Sequence, residues 1–379
     1  MKRIYLVSIT AFLFAALASG QTSQEVKPGA YLRMRWEEVA MRMPSEWYGS
    51  DEAKLVAENV LISQKEIGGW AKNEPLHLIF SDSLKTHYIR TKAEKGGTFD
   101  NGSTLTELRF LAKVYSKTGD ERYKQAFEKG LNYIFMAQYK NGGWPQYYPV
   151  KDPEDEILLD KTVPYSMHIT FNDDAIVNIM TFLKQIYTGQ EEFASLKISS
   201  NVKGKAKKAF DKGIDCILKC QIVADNKPAV WCAQHNETTL APANARAYEL
   251  ASFSGSESVG IVLMLMDLEN PSKKVIASVN GAVKWFEDHK IEGIRIGSEI
   301  DGNGRWNRIV VEDKNAPPIW ARFYDLETGK PFFCSRDGIK RSSMAEISAE
   351  RRNGYSWYTY APEAALKKYP EWKQKWDSK

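Results

Sequence analysis

Four short segments of this 379-residue chain set polar and charged side chains beside turn-forming residues, outside any helical periodicity. They are Gly96-Gly-Thr-Phe-Asp100-Asn101-Gly102, His168-Ile-Thr-Phe-Asn172-Asp173-Asp174, Pro242-Ala-Asn-Ala-Arg246-Ala-Tyr-Glu249 and Ser335-Arg336-Asp337-Gly338. Asp100 and Asp173 each stand just before a helix, where a carboxylate caps the first turn and complements the helix dipole. Asn172-Asp173-Asp174 crowds two carboxylates and an amide into three residues, more than a cap needs, and hard oxygen donors of this kind suit a cation such as Ca2+. Arg246 and Glu249, three apart, suit an ion pair on a helix surface. Eight of the 16 arginines fall between Arg295 and Arg352. Guanidinium groups hold planar carboxylates in bidentate fashion, so that concentration points to a polyanionic substrate. Trp70, Trp144 and Trp231 stand in Gly- or Pro-bearing loops, and suit either core anchors or platforms for stacking sugars. His168 alone reads as a packed histidine.

The elements that position these segments repeat. Ala126-Phe-Glu-Lys-Gly-Leu-Asn132 matches Ala209-Phe-Asp-Lys-Gly-Ile-Asp215 at an offset of 83, and at the same offset Gln138 meets Gln221. Each Gln opens a loop that carries Trp, and Gln64 to Trp70 is an earlier copy. Second helices follow over Thr104 to Lys117, Asp174 to Tyr187 and Ser256 to Leu268, by their 3.6-residue apolar period. A fourth amphipathic segment, Val275 to Asp288, lacks the Gln-loop-Trp ending. Helical hairpins repeating at this length predict a mainly α ring of paired helices, an α/α toroid over about 50–290. Short alternating runs and Pro or Gly turns after about 290 predict a coil-rich, short-strand lobe to about 360 that completes the groove, within a single domain of residues 21–379.

Lys2 and Arg3, an apolar run from Ile4 to Ala18, and Ala18-Ser-Gly20 have the form of a secretory signal, residues 1–20. Its fifteen apolar residues fall short of the roughly 20 that span a bilayer, so an exported protein, periplasmic or extracellular, with no stable membrane insertion is expected. A net charge of +4 on 52 basic and 48 acidic residues gives no footprint for nucleic acid. Cys216 and Cys220 share a helix face and read as core packing; Cys232 and Cys334 are free to bridge in an oxidising compartment. Without a coiled-coil pattern or an apolar surface stripe, a monomer is expected.

Gly68-Gly-Trp-Ala-Lys-Asn73, Phe99 to Gly102, Gly142-Gly-Trp-Pro-Gln146, Ile169 to Asp173, Pro242 to Glu249, Phe332 to Gly338 and Arg352-Asn-Gly-Tyr-Ser-Trp357, taken together and in order, resemble the pectate lyases of polysaccharide lyase family ten. The resemblance runs from about residue 40 to about residue 360. It implies an (α/α)3 toroid with a broad central groove, Ca2+ as cofactor, and β-elimination on homogalacturonan (polygalacturonate) and its pectin oligosaccharides. Matched motif by motif, it makes Arg246 the catalytic base, Asp173 a calcium ligand, and Asp100 a carboxylate at the calcium and substrate-carboxylate site. Arg322 and Arg336 bind substrate carboxylates, with Asn172, Asp174 and Trp144 as further substrate contacts. Ala243-Asn244-Ala245 is a departure, smaller than the family's usual residues. Arginine is ordinarily protonated in proteins, so a base role requires neighbouring cations that lower its pKa and an alkaline optimum. Rival readings are a toroidal glycoside hydrolase using Asp173 with Glu249, which needs no calcium, and a non-catalytic pectin-binding protein.

Overall fold

The computed structural model describes residues 27–152 and 165–376; the expected signal segment lies outside them. Eleven helices matter here: α1 Trp36–Arg42, α2 Asp51–Ser63, α3 Asp82–Arg90, α4 Leu105–Thr118, α5 Glu121–Ala137, α6 Ala175–Thr188, α7 Ser200–Cys220, α8 Glu257–Met266, α9 Lys273–Asp288, α10 Ala349–Gly354 and α11 Pro362–Trp376. Helices α2, α5, α7 and α9 form an outer layer and α4, α6 and α8 an inner one, with the C-terminal α11 packed on α8 and α9. The arrangement is an α/α toroid.

The two layers start differently. Outer helices begin at side-chain caps: Ser50 accepts from Ala53 N, Asp120 from Arg122 N, Ser199 from Val202 N and Ser272 from Val275 N. Inner helices α4 and α6 have no such cap and start from Thr104 and Asp174, both with positive φ. Helix α8 is buried on nearly all sides, as a helix in the middle of a ring must be.

One hydrogen-bond pattern builds the ring. The amide of Gln64 donates to Gly68 O at 2.9 Å in its own loop and to Ala126 O at 2.9 Å in the next outer helix. Gln138 does the same to Gly142 O and Ala209 O, and Gln221 to Ala229 O and Ser278 O. The loop tryptophans turn back inside: Trp70 Nε1 donates to Val60 O, Trp144 to Ile134 O and Trp231 to Ile217 O, each carbonyl four residues before the Gln. Helix α9 lacks the Gln, as the sequence indicates, yet it does have a matching tryptophan. Trp320 Nε1 donates to Phe286 O at 2.8 Å, and the sequence between them holds the ribbon of Ile294–Ile300 and Trp306–Glu312. The Gly142 loop runs so close to α7 that a Cβ there would lie 2.0 Å from Lys212 O, and its φ is +99°.

The loops emerge on one face and are stitched edge to edge. Phe99 N donates to Gln146 O, Phe171 N to Ala233 O and Gly255 N to Arg322 O. The residue two after each of Trp144, Trp231 and Trp320 therefore lies beside the turn of the preceding unit. A second apolar cluster, with Phe323, Phe333, Met344 and Trp357, fills the C-terminal lobe. All four cysteines are free. Cys232 and Cys334 are not bridged, because each thiol instead meets a carbonyl of the Arg246 loop, Ala243 O and Ala247 O, at 3.7 Å. Cys216 and Cys220 sulfurs are 4.0 Å apart within α7. Among the described residues no helix is long and apolar enough to cross a membrane.

Helix α1 is tied to α4 by Trp36 Nε1, which donates to Glu107 Oε1 at 2.7 Å. Burial lifts the Glu107 carboxyl from 4.5 to about 7. The native state keeps this proton after the unfolded chain has lost it, so stability falls as pH rises from about 4.5 to about 7 and then levels. Glu107→Gln should remove that slope and stabilise the protein by about 3 kcal/mol above pH 7; urea unfolding at acidic and alkaline pH measures it. Gln221→Ala strands two buried carbonyls and should cost about 2 kcal/mol in the same experiment.

Candidate active site

The loop face joins Arg246, Glu249, Tyr355, Arg322, Asn172 and Asp173 in one connected wall. Arg246 donates from Nε to Glu249 Oε2 at 2.8 Å and from Nη2 to Glu249 Oε1, which leaves Nη1 outside that fork. Glu249 also accepts from the Tyr355 hydroxyl at 2.8 Å. The Tyr355 ring lies 4.5 Å from the Arg322 guanidinium. Arg322 Nη2 in turn donates to Asn172 Oδ1 at 3.1 Å, to Asp173 Oδ1 at 3.4 Å and to Glu257. Arg336 stands farther out, about half exposed, paired with Glu350 at 3.2 Å and 5.5 Å from the Tyr248 ring that Arg246 and Arg351 also face.

Two corresponding turns supply the acids. Phe99-Asp100-Asn101-Gly102 and Phe171-Asn172-Asp173-Asp174 follow the same path, with φ of +52° at Asn101 and +49° at Asp173, then +73° at Gly102 and +57° at Asp174. Asn, Asp and Gly tolerate this left-handed backbone better than other residues. Asp100 therefore corresponds to Asn172, both turned inward, and Asp173 to Asn101, both turned outward. Asp100 is buried and held through Oδ2 by Lys72 and by Gln146 Nε2 at 2.9 Å. Asp173 keeps 42% of its side chain exposed and takes Asn172 Nδ2 on Oδ2 at 2.7 Å. The two turns pack together, and Asn101, Asp173 and Arg109 line a cleft of about 470 Å³ between α4 and α6.

Charge across this wall is finely set. Burial alone favours a neutral Arg322, but Glu257, Tyr355 and Asp173 outweigh it and raise its pKa. The same competition raises Arg246: desolvation pulls its pKa down and the Glu249 carboxylate overrides it. The expected lowering by neighbouring cations is thus not found here, because a carboxylate 2.8 Å away outweighs guanidinium groups beyond Tyr248. Desolvation, with Glu257 and Asp173 nearby, pushes the Asp174 carboxyl up to about 6 against the pull of Arg322.

Three sequence expectations change. Trp144 is wholly buried under its own helix and has no surface to offer a sugar. Asn172 is 4% exposed, and its amide is engaged by Arg322 and Asp173 in place of the expected open position toward substrate. Glu249, proposed as a hydrolytic acid, has both oxygens committed to Arg246 and Tyr355. Sequence reasoning passed over Glu257, Lys72 and the role of Tyr355. Lys72 is legible afterwards as the residue two beyond Trp70, where Gln146 and Arg322 stand beyond their own tryptophans.

The donors fit an open Ca2+ site and not a closed one. Among the described residues no group of three or more His, Cys, Asp or Glu is placed to hold a metal. Asp173 offers a solvent-facing carboxylate, and Asp100 an Oδ1 left over by contacts that both fall on Oδ2. Ca2+ takes six to eight oxygens, so the balance belongs to water and to an acidic ligand.

A toroid whose loop face carries arginines and half-exposed acids in a groove is the architecture of a polysaccharide-degrading enzyme. The family model of pectic acid lyases matches residues 64–366, and the chain belongs to that family. Its structure is similar to a family 10 polysaccharide lyase from Cellvibrio cellulosa, at 32% identity, TM-score 0.71, covering 90% of this chain and 94% of that one. A mutant of the Cellvibrio cellulosa enzyme in complex with trigalacturonic acid is also similar, at 32% identity and TM-score 0.70, covering 87% of this chain and 95% of that one. No curated protein matches it. The chain is a polysaccharide lyase of family ten, with pectate lyase activity.

Gly260 of α8 lies against the Asn172–Asp174 turn, and a Cβ there would be 2.2 Å from Asp174 Oδ1. Gly260→Ala should turn the Asp174 carboxylate away from α8 and lower kcat/KM by up to about tenfold in a folded protein; kinetics beside a thermal melt test this.

Proposed function

We propose that this protein is exported and cleaves polygalacturonate by Ca2+-assisted anti β-elimination, with Arg246 as the base. The observation that carries the reading is the chain of contacts from Arg246 through Glu249 and Tyr355 to Arg322 and Asp173. It sets a base candidate, a carboxylate-binding guanidinium and a half-exposed carboxylate on one wall. The C5 hydrogen of galacturonate is acidic because it is α to the carboxylate. Its removal places negative charge on that group before the C4–O4 bond breaks.

Asp173 and Asp100, together with the substrate carboxylate, would hold Ca2+, and its positive charge when bound would make the C5 proton more acidic. Arg322 and Arg336 hold substrate carboxylates and stabilise the same developing charge. Asn172 fixes the first of these arginines against Asp173. Arg246 takes the C5 proton at Nη1, the nitrogen outside the Glu249 fork. The C4–C5 double bond forms as O4 departs and takes a proton from solvent. Arg246 acts only after losing the proton that Glu249 stabilises, so the reaction favours alkaline pH.

Purified protein mixed with polygalacturonate at alkaline pH should generate the ultraviolet absorbance of unsaturated oligogalacturonides. The signal should vanish with excess chelator and fall at least about a thousandfold in Arg246→Ala, a loss of about 4 kcal/mol. New reducing ends without that absorbance would mean hydrolysis, and neither signal would mean a binder. Glu249→Gln should move the rising limb of the pH profile toward lower pH, since it removes the carboxylate that holds Arg246 protonated; an unmoved limb would count against Arg246 as base.

A further inference from the structure

The loop tryptophans, once candidates for stacking sugars, are all core residues. Among the described residues Trp306 is the one tryptophan more than a third exposed, at 49%. It stands near the tip of the two-stranded ribbon, opposite Ile300, which is 67% exposed. Strand alternation puts Trp306 and Arg308 on one face, together with their cross-strand neighbours. On that same face Ile296 packs onto the apolar cluster of the C-terminal lobe. The face therefore turns toward the lobe at Ile296, and its outer end, with Trp306 and Ile300, is exposed.

The ribbon is registered to the active site. Arg308 Nη1 donates to Tyr355 O at 2.8 Å, and Tyr355 is the residue that joins Glu249 to Arg322. Asn353 grips the strand on either side of Asn307, taking Arg308 N on Oδ1 at 2.8 Å and donating to Trp306 O at 3.1 Å. The Arg308 guanidinium backs the indole of Trp306 at 5.5 Å, which leaves the rest of the ring to solvent. An exposed indole held by a cation and fixed by side-chain clamps loses little freedom when a sugar packs on it.

We propose that Trp306, backed by Arg308, is a distal binding subsite for the galacturonate chain: the pyranose ring stacks on the open face of the indole, and the positive charge behind the ring favours an anionic sugar. The ligand class follows from this pairing of an aromatic face with a cation, and the inference rests on the pectate lyase reading above. On this proposal a short oligomer occupies the catalytic wall and a longer chain is needed to engage the ribbon tip as well. The ribbon then governs affinity for polymer and leaves chemistry alone.

The test is Trp306→Ala in the full chain, with steady-state kinetics on polygalacturonate and on the galacturonate trimer, beside migration in gels cast with polygalacturonate. KM for the polymer should rise roughly three- to tenfold with kcat unchanged. Kinetics on the trimer should stay at the wild-type level, retardation in the gel should weaken, and Trp306→Phe should keep most of it. Equal losses on polymer and trimer, or none on either, would overturn the proposal. If the wild type yields no unsaturated product, elimination fails as a reading, and gel retardation of wild type against Trp306→Ala still decides the ribbon's role. Equal migration of the two would overturn it.

Discussion

The amide that closes three of the four outer helices holds the active face in place. Gln64, Gln138 and Gln221 each join their own loop to the backbone of the next outer helix, so the distance between neighbouring hairpins is set by one buried side chain. The indole of the same loop satisfies the carbonyl four residues before the Gln and prevents the loop from lifting away. With both ends fixed, the loop segments that follow pair edge to edge and bring residues from distant hairpins within hydrogen-bond reach. Arg322 meets Asn172 and Asp173 across 150 and 149 positions of sequence for this reason.

The inner helices contribute by what they lack. A Ser or Asp cap would complete the helix start and leave nothing to project. Starting α4 and α6 from left-handed turns instead turns one side chain inward and the next one out. The inward Asp100 is satisfied by Lys72 and Gln146, the inward Asn172 by Arg322. The outward Asp173 is left partly in water, where an added cation or carboxylate ligand can reach it.

Arg246 and Arg322 show how carboxylates govern buried guanidinium groups. Each is desolvated, which favours the neutral form, and each is held charged by acids at contact distance. For Arg322 that is what a carboxylate-binding group requires. For Arg246 the same pairing opposes the proposed base role, and under that proposal the control of pH dependence falls to Glu249. An unpaired base at this position would be reactive at lower pH but free to wander, and the fork from Glu249 fixes its direction.

Much of this was legible from the chain alone. The 83-residue offset, the apolar period and the Gln-loop-Trp endings specify paired helices in a ring, because these are local patterns that each hairpin must satisfy by itself. The motifs around Asp100, Asp173, Arg246 and Arg336 could be located because Gly, Asn and Asp mark turns that break the helical period. What side chains do there depended on partners far away in sequence. An indole at a Gly-Gly loop is equally suited to stacking a sugar or filling a core, and only the position of the neighbouring helix made Trp144 a core residue. Cys232 and Cys334 were free to bridge by composition, yet the Arg246 loop lies between their carbonyl contacts. Glu257 and Tyr355 carry no distinguishing local pattern; their importance comes from Arg322 and Glu249, brought to them by the ring. The sequence by itself determined which segments are helices and where turns interrupt them, since period and backbone preference act over a few residues. Only the tertiary structure decided which acids face one another and which arginine each one holds, since electrostatic pairing acts through space.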